Sequence, residues 1–190
     1  MTIIHANDPT TKVLSYLYEQ RHDISAFVSE SSTNGDVKRA IRGDDTIMML
    51  GHGNQYGLFS KPNKNGDFKR FLITDRHVQF LREKTCIGIW CYANVFAERY
   101  GLHGLFSGMI ISELQEAIDC NIPATKEEID MEMERFTRRL NDSINRFGLA
   151  ETAIRMRSLD DVKSELTIFN YNNLYYYGHS CKYPWLIFVV

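Results

Sequence analysis

Two strand-like runs in this chain each end on a side chain capable of covalent chemistry. Thr46-Ile47-Met48-Met49-Leu50 runs into Gly51-His52-Gly53, and Cys86-Ile87-Gly88-Ile89-Trp90 runs into Cys91. A free thiol has a pKa near 8.5 and is mostly protonated at neutral pH, so a nucleophilic cysteine needs an imidazole or a helix start beside it. Asn94, three residues past Cys91, marks a candidate helix start. His52 stands between two glycines, which let the backbone turn out of a strand and leave room for a ligand. The Gly53 amide is then free to face a substrate oxygen, an oxyanion-hole role. Asn54 and Asn94 follow the two reactive residues closely and are candidates for substrate contact or for turn formation. Plainer readings stand beside these. Cys91 can be a small buried hydrophobe, His52 an incidental part of a strand-to-loop turn, and Gly51-His52-Gly53 a phosphate cradle.

The elements that must position these residues alternate through the first half of the chain. Residues 2–6 read as a strand, and Asp8-Pro9 as an N-cap followed by proline at the first helical position. Val13, Leu14, Leu17 and Tyr18 give that helix an apolar stripe. Residues 24–28 read as a second strand, and 34–41 as a short helix with Val37, Ala40 and Ile41 on one face. Thr46–Leu50 and residues 86–90 are apolar on both faces, as central parallel strands are. Between them, residues 56–73 read as a hairpin turning at Asn65-Gly66, and 74–84 as a helix. A short helix over 94–100 and a strand around Leu105 and Phe106 follow. Ser112 with Gln115, and Thr125 with Glu128, fit capping boxes. Ile129, Met133, Phe136, Leu140, Ile144 and Phe147 then keep a three-four spacing up to Gly148, the expected helix end. Glu113 and Glu116 look like a solvated helix face. The aromatic tail closes with Leu186-Ile187-Phe188-Val189-Val190, which reads as a strand. Alternating strands and helices predict an α/β fold, a mostly parallel sheet with helices on both faces. Sites in such sheets form at the carboxyl ends of the strands, where His52 and Cys91 fall.

With 190 residues, 44% hydrophobic and 24% charged, the chain fits a single domain with a sizeable core. A formal net charge of -2 gives no global reason to expect a nucleic-acid partner. No apolar stretch approaches the roughly 18 residues that span a bilayer, and no secretory signal is visible, so a cytoplasmic protein is expected. Cysteines 86, 91, 120 and 181 form no C-x-x-C pair and no zinc-like cluster; reduced thiols are expected, with no metal and no cofactor. His5, at a strand end, could approach the same rim, but a loop-capping role fits it better.

The order strand-His-Gly, an insertion, then strand-Cys resembles the caspase-like (clan CD) cysteine peptidases, the group holding metacaspases, gingipains, clostripain and separases. The resemblance rests on Ile47-Met48-Met49-Leu50-Gly51-His52-Gly53, on Ile87-Gly88-Ile89-Trp90-Cys91, and on the small-residue turn Phe106-Ser107-Gly108-Met109-Ile110-Ile111-Ser112-Glu113. It implies a caspase-like three-layer sandwich over 1–190, with 1–120 as the core carrying the dyad and 121–190 as a long helix and aromatic strand region. It further implies that Cys91 attacks a peptide carbonyl and that His52 protonates the leaving amine or positions the thiolate, with no third residue strictly required. The amides of Gly53 and Cys91 would hold the oxyanion, and the 56–73 segment would overhang the site. Its Lys61, Lys64, Lys69 and Arg70 form a solvated loop or attract an acidic partner. Gly88-Ile89-Trp90-Cys91-Tyr92 stands where true caspases carry Q-A-C-x-G, so no cleavage-site preference carries over. A peptide or protein substrate is expected, with a regulatory protein partner and no membrane. A caspase-like regulatory domain without activity, or a phosphate-binding α/β module, are the alternatives. An activated Cys91 should react with iodoacetamide ahead of the other three cysteines.

Overall fold

Residues 1–6 and 8–178 are described by a computed structural model. The elements run β1 (Thr2–His5), a 3₁₀ helix (Pro9–Leu17), β2 (Ala26–Val28), α1 (Asn34–Gly43) and β3 (Thr46–Leu50). A small meander follows: β4 (Gly53–Asn54), β5 (Gly57–Phe59) and β6 (Phe71–Ile73). A 3₁₀ turn (Asp75–His77) leads into α2 (Val78–Leu81), then β7 (Thr85–Ile89), α3 (Ala93–Tyr100), β8 (His103–Ser107) and α4 (Leu114–Asp119). The remainder is α5 (Lys126–Leu159), α6 (Glu165–Asn172) and β9 (Leu174–Tyr177).

The main sheet has six strands in the order β2-β1-β3-β7-β8-β9. Neighbours are parallel except β9, which runs antiparallel to β8. The chain is therefore α/β with a mixed, mostly parallel sheet. Side chains alternate across the strands and feed two cores. Met48, Leu50, Ile87 and Ile89 pack with Leu14 and Leu17 and with Ile129, Met133, Phe136 and Leu140 of α5. On the other face Ile47, Met49 and Cys86 pack with Val37 and Ile41 of α1, Val78 and Leu81 of α2, and Phe96 of α3. Helices thus cover both faces of the sheet, which suits a three-layer sandwich.

Several boundaries differ from expectation. The first helix is 3₁₀, and its buried residues Thr11, Leu14 and Leu17 recur every third position, matching three residues per turn. The expected hairpin is a three-stranded meander, because Gly53–Asn54 adds a strand before the turn. The first capping box shifts by one residue. Glu113 is the N-cap and Glu116 reaches back, while Gln115 instead donates to Asp119. Gly148 breaks the long helix as expected, at φ 75, but helical backbone resumes and continues to Leu159. The break leaves Phe147 44% exposed, under the Arg155 guanidinium, rather than in the core. Helix α6 was not anticipated from the sequence. The expected terminal strand at 186–190 lies outside the described residues, as does Cys181.

Candidate active site

Sheet register puts His52 and Cys91 at one level. His5 of β1, Leu50 of β3 and Ile89 of β7 lie in one row across three adjacent strands. His52 is two residues past Leu50 and Cys91 two past Ile89, on neighbouring strands roughly 4.8 Å apart. Both side chains line one narrow cleft of about 30 Å³ with Thr10, Leu14, Trp90, Ile110, Ser112 and Met133. That volume admits a water or two and no peptide side chain.

Trp90 fixes the two chain exits against each other. Its backbone N–H donates to Ser107 Oγ at 3.0 Å, and that hydroxyl donates to the Trp90 carbonyl at 2.8 Å. The indole Nε1 donates to the Asn54 carbonyl at 3.2 Å, tying β4 to the end of β7. Position 53 must be glycine for this fit, since a Cβ there would lie 2.2 Å from the indole Cδ1 and 2.6 Å from the Gly57 carbonyl oxygen. The next residue but one, Tyr92, takes a left-handed conformation at φ 66, an uncommon backbone state for a bulky residue.

Among the described residues, neither of the two amides expected to face an oxyanion donates a hydrogen bond. Phe59 N–H donates to the His52 carbonyl, which makes Gly53 and Leu58 a non-hydrogen-bonded pair. The Gly53 N–H therefore points away from β5, and β4 has no strand on its other side. Cys91 N–H donates no hydrogen bond among the described residues, whereas the flanking Trp90 and Tyr92 amides both do.

The thiol itself is held as a thiol. Cys91 Sγ lies 3.7 Å from the Ile110 carbonyl oxygen and 3.7 Å from Glu116 Oε1. Burial, reinforced by the Glu116 charge, pushes Cys91 up to about 12. Among the described residues no hydrogen bond joins it to His52. Both influences work against the early alkylation expected of Cys91, because the thiolate is the nucleophile. Glu116 is not a solvated residue as its spacing suggested. Its other oxygen accepts from Ser112 N, Ser112 Oγ and Glu113 N at 2.8, 3.1 and 3.0 Å.

His52 faces three elements. Its Nε2 lies 2.7 Å from Thr10 Oγ1, 3.8 Å from Glu113 Oε1 and 4.0 Å from Asp8 Oδ2. The Phe68 ring, from the loop between β5 and β6, packs at 5.2 Å from the imidazole and stacks on Phe59. That loop, expected to overhang the site, reaches His52 through Phe68, and none of its residues lines the cleft. Its Arg70 is engaged with the backbone carbonyls of Glu30 and Ser32, and Lys69 with Asp67.

The turn that touches Cys91 is clamped from the far end of the chain. Asn170 of α6 exchanges two hydrogen bonds with the Ile111 backbone, at 2.8 and 3.0 Å. Gly108 N–H donates to the Asn173 carbonyl at 2.9 Å.

The two asparagines do not join the cleft. Asn54 Oδ1 accepts from Tyr56 N–H at 2.8 Å and closes a turn. Asn94 lies in the first turn of α3 with a buried Oδ1 that has no hydrogen-bond partner in the described structure. His5 is buried between Tyr18 and Thr11 rather than capping a loop, and burial lowers it to about 4. Asp8, Thr10, Glu113 and Glu116 are the site residues that sequence reasoning missed. Asp8 and Thr10 directly follow β1 at the same rim, which was the available signal. Among the described residues no group of three or more His, Cys, Asp or Glu side chains is placed to hold a metal ion, and no helix is long and apolar enough to cross a membrane. A phosphate at the Gly51-His52-Gly53 turn is poorly served. Gly51 N–H is spent on the Ile89 carbonyl, and Asp8, Glu113 and Glu116 surround the cleft with carboxylates.

Comparison of the sequence with protein-family models and with curated proteins gives no match.

Proposed function

We propose that this chain is a cysteine endopeptidase of the caspase-like kind, seen in a resting state. The observation that carries the reading is the equal placement of His52 and Cys91, two residues beyond register-matched ends of adjacent parallel strands, in one cleft. Two unspent amides, those of Gly53 and Cys91, supply the donors an acyl-transfer intermediate needs. In the reaction Cys91 Sγ forms a bond to the peptide carbonyl carbon, its proton passing to His52. The carbon–nitrogen bond then breaks as His52 returns a proton to the leaving amine, and water releases the acid from the thioester. The substrate is a peptide or protein. Reduced cysteines suit the cytosol, where we place the protein.

A catalytically inactive caspase-like regulatory domain is the second reading. It is favoured by the closed cleft and by the thiol held between Ile110 and Glu116. The two separate in one experiment: a fluorogenic peptide library assayed with the native chain, Glu116→Gln and Cys91→Ala. Cleavage by the first or second that Cys91→Ala abolishes supports the peptidase. No cleavage by any of the three, with all folded, selects the regulatory domain.

A further inference from the structure

We infer that Asp8 and Thr10 are positioning residues that fix the tautomer of His52, a role that rests on the peptidase reading for its use in catalysis but not for its geometry. The Thr10 hydroxyl lies between the two groups, 3.0 Å from Asp8 Oδ1 and 2.7 Å from His52 Nε2. A hydroxyl has one proton to give, and a carboxylate only accepts. If Thr10 gave its proton to the imidazole, two oxygens with lone pairs would face each other at 3.0 Å. The alternative satisfies every atom: His52 Nε2–H donates to Thr10 Oγ1, and Thr10 O–H donates to Asp8.

Asp8 is built to anchor that chain. It is 6% exposed, and the same Oδ1 also accepts from Thr10 N–H at 3.1 Å. Pro9 opens the 3₁₀ helix at a fixed φ, so Asp8 and Thr10 are held on either side of a rigid residue. The other groups facing the imidazole do not compete for the tautomer. Glu113 Oε1 stands farther off at 3.8 Å from the same nitrogen, 40% exposed, and the Phe68 ring offers no acceptor. With the Nε2 proton committed, Nδ1 of the neutral ring keeps a lone pair, and among the described residues no hydrogen bond occupies it. That lone pair is what a proton acceptor needs. The arrangement places a side-chain hydroxyl and a carboxylate behind His52, although the dyad was expected to need no third residue.

Histidine ¹⁵N spectra at neutral pH test this without requiring peptidase activity, with His52→Gln assigning the signal. The native chain should show His52 as the Nε2–H tautomer. Thr10→Val, close in shape, should convert it to a mixture or to Nδ1–H, and Thr10→Ser should restore the native pattern. A native Nδ1–H tautomer, or a Thr10→Val spectrum identical to native, would overturn the inference. Should cleavage be observed, Thr10→Val should lower kcat by about 10²-fold with KM little changed, the lower range of what a positioned acid–base group contributes; unchanged kcat would overturn the catalytic use of the chain. Absence of cleavage in every variant would count against the peptidase and leave the spectroscopic result to decide the tautomer.

Discussion

A single carboxylate, Glu116, both caps the first turn of α4 and receives the Cys91 thiol. The two tasks can be separated by chemistry. Glutamine at the third helical position still completes a capping box, but it carries no charge to hold the thiol protonated. Glu116→Gln should therefore lower the Cys91 pKa and raise its iodoacetamide labelling at neutral pH about tenfold, if the charge accounts for about one pKa unit. Peptide mapping by mass spectrometry reads this directly; an unchanged rate would show that burial alone sets the thiol. In the native chain Cys91 and Cys120 are both half-buried, but the Cys91 thiol meets Ile110 and Glu116, so Cys120 should label first. His52 and Cys91 were legible in the sequence because each ends an apolar run, and such ends have a fixed place in a parallel sheet. Glu113 and Glu116 were not, since helix periodicity reports which residues share a face and not what approaches that face. Their partners are more than twenty residues away for Glu116 and sixty for Glu113.

At the scale of elements, the site depends on how closely β4 is drawn to the end of β7. A methyl at position 53 would collide with both the Trp90 indole and the Gly57 carbonyl. Gly53→Ala should destabilise the fold by about 1–3 kcal/mol, in the range of overpacking, and loosen the turn carrying His52. Ser107→Ala strands the Trp90 amide, which is buried, and should cost about 1–3 kcal/mol as an unmet buried donor. Chemical denaturation measures both; a loss under about 0.5 kcal/mol in either would mean that the exit from β7 holds itself in place. Strands β3 and β7 and helices α1 and α3 were readable to within two residues, through local apolar pattern and caps. Helix α6 was not, because its apolar residues do not gather on one side. Leu166 and Tyr171 are buried while Ile168 is 47% exposed. Tertiary contacts with α5 decide that segment, and a local pattern cannot show them.

For the molecule as a whole, acid stability should depend on His5. Burial holds it near 4 in the folded chain against 6.5 for the free side chain. The unfolded chain thus binds more protons between those values, so stability is complete above about pH 6.5 and falls as pH drops toward 4. A gap of this size corresponds to about 3 kcal/mol for a residue so well buried. Replacing His5 by Gln, which cannot gain a charge, should flatten that slope in urea titrations taken from pH 7 to 4. An equal slope in both proteins would shift the origin of acid sensitivity elsewhere, with His77, also lowered by burial, as the next group.

Asn170 and Asn173 hold the turn whose Ile110 carbonyl and Glu116 carboxylate meet the thiol. This has a consequence in time. Both reactive residues are synthesised well before position 170, so the turn beside Cys91 gains its two asparagine clamps only when residues 170–173 dock. A chain ending at residue 120 would keep Ile110 and Glu116 beside the thiol but lack both clamps. Asn170 and Asn173, some eighty residues beyond Cys91, thus help to hold the wall of the site.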